Sequence, residues 1–465
     1  MHPANEPPPR PLSRSLGTFG ILFLTLSATT PAFSMFISGP DLLEAGTGAL
    51  LAMLIAGVVG VATAYIYAEL SSAWPIAGGE YVMVARTLGP LAGFVILGVN
   101  AVNCVIFLAV GGLGIAKVLQ IVLPWIEQIQ VPVAIATVIV CTMVSILHIR
   151  VNAWVTGIFL ALELAALLLV SFLGWADPVR PLTQVLFHPI AAAGPTPLGA
   201  IGVATTVAIF ALNGYGVAVY FSEEMHAPAR RIARVILLAL AVTFAVEVIP
   251  LAAVLVGARD LTPLFGADDP LGSFVMARAG FALTAWVASG IVIAIVNATI
   301  ANILAIARFF YSTGRDGAWG PTIDRWMIAC HPRFRSPWIA TLIVGAAGVG
   351  CCFISLDELL VLSGSGLAII YLGIALAALA GRRSGATAHA YYRMPLFPLA
   401  PLVTVGALGY VFWTSWQDTE KGQPALIATA VQIAVSAAYY LLVLRRRGPW
   451  VVRDPFEEPE PAAAS

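Results

Sequence analysis

Long uncharged apolar runs, rather than alternating apolar and polar positions, organise this chain. Ala45–Ala68, Thr87–Ala116, Ala279–Ala307, Leu359–Gly381, Met394–Gln417 and Gly422–Leu444 carry no charged side chain. Each is long enough to cross roughly 30 Å of hydrocarbon as a helix. Extending this reading over the whole chain predicts twelve spans, at about 15–39, 47–68, 91–119, 131–149, 151–175, 198–222, 235–256, 280–307, 336–356, 359–380, 396–416 and 424–444. The expected fold class is an all-α polytopic membrane protein.

Two spans contain residues that break helices. Span 1 holds "LSATTPAFS" (Leu26–Ser34), with Pro31 at mid-membrane. Proline removes a backbone donor and clashes with the preceding turn. Span 6 holds "FALNGYG" (Phe210–Gly216), where asparagine and two glycines weaken the helix. In lipid a freed backbone group must be satisfied from elsewhere, so such a break is tolerated where it is buried or lines a cavity. The two interrupted spans are five apart. Five is odd, so a second five-span unit enters the membrane from the opposite side. The expectation is a 5+5 inverted repeat, residues 15–175 and 198–380, with helices 11 and 12 at 396–444. Paired breaks of this kind point to the site of a secondary transporter. Taken singly, each break reads equally well as a kink or a packing notch. The half-helix after Pro31 presents free N–H groups and a positive dipole end, which suit a substrate carboxylate. Freed carbonyls suit an ammonium.

Composition agrees with lipid as the solvent: 60% of residues are hydrophobic and only 10% charged, against about 25% charged in a soluble domain. The formal net charge is zero, so no nucleic-acid partner is indicated. The distribution of basic residues is more informative. With both termini inside, the inner segments hold Arg86, Arg150, Arg230, Arg231, Arg234, Arg308, Arg315, Arg382, Arg383 and the Arg445–Arg447 cluster, among others. The outer segments hold Arg180, Arg259, Arg278 and Lys421. This bias predicts cytoplasmic termini in a cell membrane. The Pro-rich residues 1–14 and the acidic end of 445–465 read as cytoplasmic tails. The five cysteines lack ligand or disulfide spacing, and the six histidines never pair, so neither metal nor cofactor is expected. His148 is the one histidine in or near a span. No Walker-type phosphate loop is present, which disfavours an ATP-driven pump. A membrane-embedded enzyme would need a converging nucleophile and base, and a channel would need a ring-forming filter. Neither stands out.

Three stretches resemble signatures of the amino acid–polyamine–organocation (APC) permeases, in order and across essentially the whole chain. They are "YAELSSAWPIAGGEYVMVARTLGPLAGFVILG" (Tyr65–Gly98), "FALNGYGVAVYFSEEMHAPARRIARVIL" (Phe210–Leu237) and "ARFFYSTGRDGAWGP" (Ala307–Pro321). The resemblance implies discontinuous helices 1 and 6, alternating access, and a central site at their unwound parts. Members usually carry a Gly-Ser-Gly type break in span 1. Here the aligned residues are Thr29, Thr30, Pro31, Ala32 and Phe33. In span 6 the implied substrate residues are Phe210, Ala211, Asn213 and Tyr215, with Phe210 as a cap and the Ala211 backbone accepting from an amine. Phe210 and Tyr215 hint at bulk, so a neutral or apolar amino acid is preferred over polyamines or choline-like amines. Exchange and net uptake both remain open.

Glu163 lies in the middle of span 5, where a charge costs roughly 2.5–3.5 kcal/mol on insertion scales. Some proton-coupled relatives carry a lysine at what looks like this position, standing in for a sodium ion. Glu163 is therefore the candidate proton carrier or cation holder, with a protonated, helix-bonded glutamate as the alternative. Asn297 and Thr299 of span 8 are candidates for the same role, against a default of bonding between helices. Glu247 reads as a structural partner of the Pro250 kink. Glu223, Glu224, Arg230 and Arg231 are candidates for a cytoplasmic gate of ion pairs, or else ordinary loop charge. The expected partners are a small-molecule substrate, a proton and the bilayer.

Overall fold

The computed structural model describes residues 16–147 and 149–455. The tail expected at 1–14, the last ten residues of the tail at 445–465, and His148 lie outside them. Eleven helices among the described residues are long and apolar enough to cross a membrane. A further apolar helix, Trp338–Cys351, has 14 residues and is shorter than a spanning length. It stands where span 9 was expected to run to residue 356. The chain turns at Cys352, and Ser355 caps the next helix instead. The Ser355 hydroxyl accepts from the Glu358 N–H and donates to the Glu358 carboxylate at 2.7 Å. That reciprocal cap fixes the start of span 10, Leu356–Ser384.

The breaks fall where Pro31 and Asn213–Gly214 predict them. Span 1 is Thr18–Thr29 followed by Pro31–Leu43. Span 6 is an α-helix, Leu198–Ala211, followed by a ten-residue 3₁₀ stretch, Tyr215–Glu224. Such a long 3₁₀ run is uncommon and marks a segment held by its surroundings. Span 7, Pro228–Gly257, begins earlier than expected, so Arg230, Arg231 and Arg234 lie in its first turns rather than in a loop. Proline at the first helical position explains the early start. A short helix, Glu80–Leu88, lies between span 2 (Ala49–Ala73) and span 3 (Pro90–Val122). The sole sheet among the described residues is a two-stranded hairpin, Ile190–Ala191 with Gly194–Pro195.

Bulky apolar side chains such as Val140, Met143, Phe172, Trp413 and Val435 are exposed. A soluble surface would avoid this, whereas lipid accepts it. Inside, small residues set helix distances. A Cβ on Gly174 of span 5 (Ile149–Ala176) would lie 2.1 Å from the Ala253 carbonyl oxygen of span 7. A Cβ on Gly257 would lie 2.6 Å from the Gly174 Cα. Spans 5 and 7 thus touch backbone to backbone. Span 8, Phe281–Arg315, packs against spans 3 and 5 and passes beside span 1.

Candidate functional site

The two breaks meet. Thr30 adopts a left-handed conformation (φ 41°, ψ 72°) that ends the first half of span 1. Gly214 adopts φ 114°, and a Cβ there would lie 2.8 Å from the Thr29 Cα. Glycine at 214 is therefore required twice, by its backbone angle and by the closeness of span 1.

The backbone groups freed by each break are claimed by side chains from elsewhere. In an unbroken span 1 the Ala32 N–H would bond to the Ala28 carbonyl. Instead the Ala32 N–H donates to Glu163 Oε1 at 2.9 Å, and the Ala28 oxygen accepts from Asn302 Nδ2 at 3.0 Å. In span 6 the Ala211 carbonyl accepts from the Ser34 hydroxyl at 2.8 Å. The Asn213 N–H tightens to the Phe210 carbonyl three residues back, at 3.1 Å. The Asn213 Oδ1 accepts from the Tyr371 hydroxyl of span 10 at 2.6 Å.

These contacts revise the expected division of labour at the break of span 1. The acceptor at the Ala32 N–H is a carboxyl oxygen of the chain itself, from Glu163, set against that positive helix end. The Thr30 hydroxyl faces Glu163 Oε1 and the Ala294 carbonyl, each at 3.4 Å. The Thr29 hydroxyl donates to the Leu26 carbonyl at 2.7 Å. Both hydroxyls are thus engaged within the protein.

A cavity of about 590 Å³ runs along both breaks. Thr29, Thr30, Phe33, Phe210, Ala211 and Asn213 line it, whereas Pro31, Ala32 and Tyr215 do not. The Tyr215 ring is turned into the core, edge-on to Tyr67 with centroids 6.0 Å apart. The Phe210 ring lies against Gly364 of span 10, where a Cβ would be 3.8 Å from it. Asp41 and Asp418, both exposed, border the open end. At the opposite, deep end stands Glu80, buried and lining the cavity. Its carboxylate accepts from Tyr67 (2.8 Å), Tyr220 (2.7 Å) and Asn100 (3.1 Å). Little in the chain's pattern forewarned of this. Glu80 opens a short helix after two glycines, where an acidic residue reads as an ordinary helix start.

Beyond Glu80 the molecule is shut by buried charge. Glu224 pairs with Arg308, both about 1% exposed, and the Arg308 Nη1 donates to the Leu304 carbonyl at 2.7 Å. Glu223 pairs with Arg315 at 2.8 Å and accepts from the Ala77 N–H at 3.0 Å. Arg230 and Arg231 are exposed and stand outside these pairs, and Arg230 lies over the Tyr391 ring instead. The partners come from the far end of span 8, not from Arg230 and Arg231, which chain proximity suggested. Tyr81 donates to Asp316 at 2.7 Å, and the Leu16 N–H reaches the Glu224 carbonyl at 3.1 Å.

Beside the break, Glu163 and Glu247 are fully buried. Glu163 Oε2, both Glu247 oxygens and both polar atoms of Asn297 lack a hydrogen-bond partner among the described residues. Thr299, by contrast, bonds to its own helix at the Ile295 carbonyl and packs against Gly111 of span 3. It is not brought to the break.

Helices that cross the bilayer, two facing breaks and a cavity open at one end define a polytopic α-helical transporter. A sequence profile of the family described as amino acid permease matches residues 16–442, and the chain belongs to that family. An uncharacterized transporter of Mycobacterium tuberculosis is 30% identical over 347 residues, 73% of each chain. The methylthioribose transporter of Bacillus subtilis is 25% identical over 94% of each chain. The branched-chain amino acid permease BcaP of the same organism is 24% identical over 84% of this chain and 85% of its own.

Proposed function

We propose that this chain carries amino acids or related amines across the cell membrane by alternating access, driven by a proton gradient. One observation carries the reading: the two helix breaks meet at a single cavity that is open at one end and closed by ion pairs at the other. The family's description and the name of BcaP support an amino acid as cargo. Two five-span units of opposite orientation account for the pairing of breaks in spans 1 and 6. The arginine bias sets both termini in the cytoplasm, so the conformation is outward-facing. The cargo sits among Phe33, Phe210, Asn213 and the free lone pair of the Ala211 carbonyl.

Glu163 is the coupling residue in this reading. It touches the Ala32 N–H and the Thr30 hydroxyl, so its charge state acts directly on the break. Glu247 and Asn297, buried with polar atoms unpartnered among the described residues, are further candidates for exchanging a proton. The test is uptake into proteoliposomes with and without an imposed proton gradient. Wild type concentrates its amino acid only with the gradient. Glu163→Gln retains counterflow but loses gradient-driven accumulation. Full accumulation by Glu163→Gln would remove the coupling role, and absence of any amino acid counterflow would remove the transport reading.

A further inference from the structure

Charge is distributed unevenly around the cavity. Three carboxylates border it, Asp41 and Asp418 at the mouth and Glu80 at the deep end. No lysine, arginine or histidine is among its lining residues. The buried carboxylates nearest the closed end are otherwise matched by guanidinium groups: Glu69 by Arg382, Glu223 by Arg315 and Glu224 by Arg308. Glu80 is held by neutral donors alone. Tyr67, Tyr220 and Asn100 donate to its carboxylate, and its own backbone N–H helps to hold it. Glu163 and Glu247 also lack a cation, but neither lines the cavity. One helical turn along span 3 from Asn100, Asn103 also lines the cavity, and its Oδ1 has no donor among the described residues. The deep end therefore offers acceptors and negative charge and is short of a donor and a cation.

We propose that this deep end is a subsite for a second, distal ammonium on the substrate, with Glu80 its counter-charge and Asn103 Oδ1 a further acceptor. The substrate class is then an amino acid with a basic side chain, or a diamine of similar length. The proposal rests on the amino acid reading above. It assigns the specificity to Glu80, a residue outside both helix breaks. The three neutral donors orient the carboxylate, so the ammonium meets a fixed partner rather than one that must be ordered on binding.

L-lysine and L-norleucine differ by the terminal ammonium and test this directly. Dissociation constants are measured on the purified full chain by thermal shift or calorimetry. Lysine is expected to bind roughly tenfold or more tighter than norleucine, the scale of one hydrogen bond to a charged group. In Glu80→Gln, and separately in Asn103→Leu, that ratio falls toward one while norleucine affinity changes less than about threefold. Norleucine binding as well as lysine in wild type overturns the subsite and leaves the amino acid reading standing. So does a lysine preference that survives in Glu80→Gln. Binding of neither ligand overturns both. The wild-type ratio decides the matter even if a variant does not fold.

Discussion

Single residues carry more of this site than their chemistry suggests. Gly214 has no side chain, yet its φ of 114° and its approach to Thr29 leave no room for one. Gly214→Ala is expected to insert and fold with a loss of about 1–3 kcal/mol and to lose most transport activity. Normal uptake kinetics in that variant would show that the two breaks need not touch. Arg308 is almost wholly buried against Glu224. Arg308→Ala leaves that carboxylate buried without its partner and should cost about 3–5 kcal/mol of stability. Arg308→Met combined with Glu224→Leu should recover much of it, measured as thermal inactivation in detergent. Asp316 gives a pH dependence. Burial pushes its carboxyl up to about 6, with Arg315 opposing the shift. A carboxyl raised in the folded state favours the fold below its unfolded value near 3.8, and that contribution is lost as pH rises through 6. Wild type should therefore gain thermal stability between pH 7.5 and 5.5, and Asp316→Asn should gain less. An equal gain in both would reassign the effect to another group.

At the scale of helices, much was legible from composition and punctuation. Pro31 and the Asn213–Gly214 pair announced breaks, and the breaks are there, because proline and glycine act through local backbone geometry. Span 9 was overestimated because an apolar run does not say where a cap will form, and Ser355 with Glu358 ended it early. The partners of the gate glutamates were not legible. Arg315 and Arg308 are more than eighty residues from them along the chain and reach them only through the packing of span 8. Ser34 and Tyr371 were missed for the same reason, since each satisfies a freed or polar group on another span. Helix spacing also makes a prediction of its own. Gly174→Ala places a methyl against the Ala253 backbone and should separate spans 5 and 7, costing about 1–3 kcal/mol in thermal stability. No measurable change would mean that this contact is looser than its geometry.

For the whole molecule, the proposed alternating access makes the cavity open at one end and the ion pairs at the other one member of a two-state cycle. Thr414 lines the cavity near its mouth. A single cysteine placed at Thr414 should react with a membrane-impermeant thiol reagent, and Arg308→Ala should slow that reaction by releasing the opposite closure. Unchanged labelling would separate the ion pairs from gating. The Arg308–Glu224 and Arg315–Glu223 pairs have a further consequence. To open the other way the protein must part them, and the charges then need water, because lipid and dry protein cannot solvate them. Each turnover would draw a small volume of solvent into that end of the molecule and expel it again. Turnover should therefore slow with osmotic pressure from an excluded solute, even where substrate affinity is untouched.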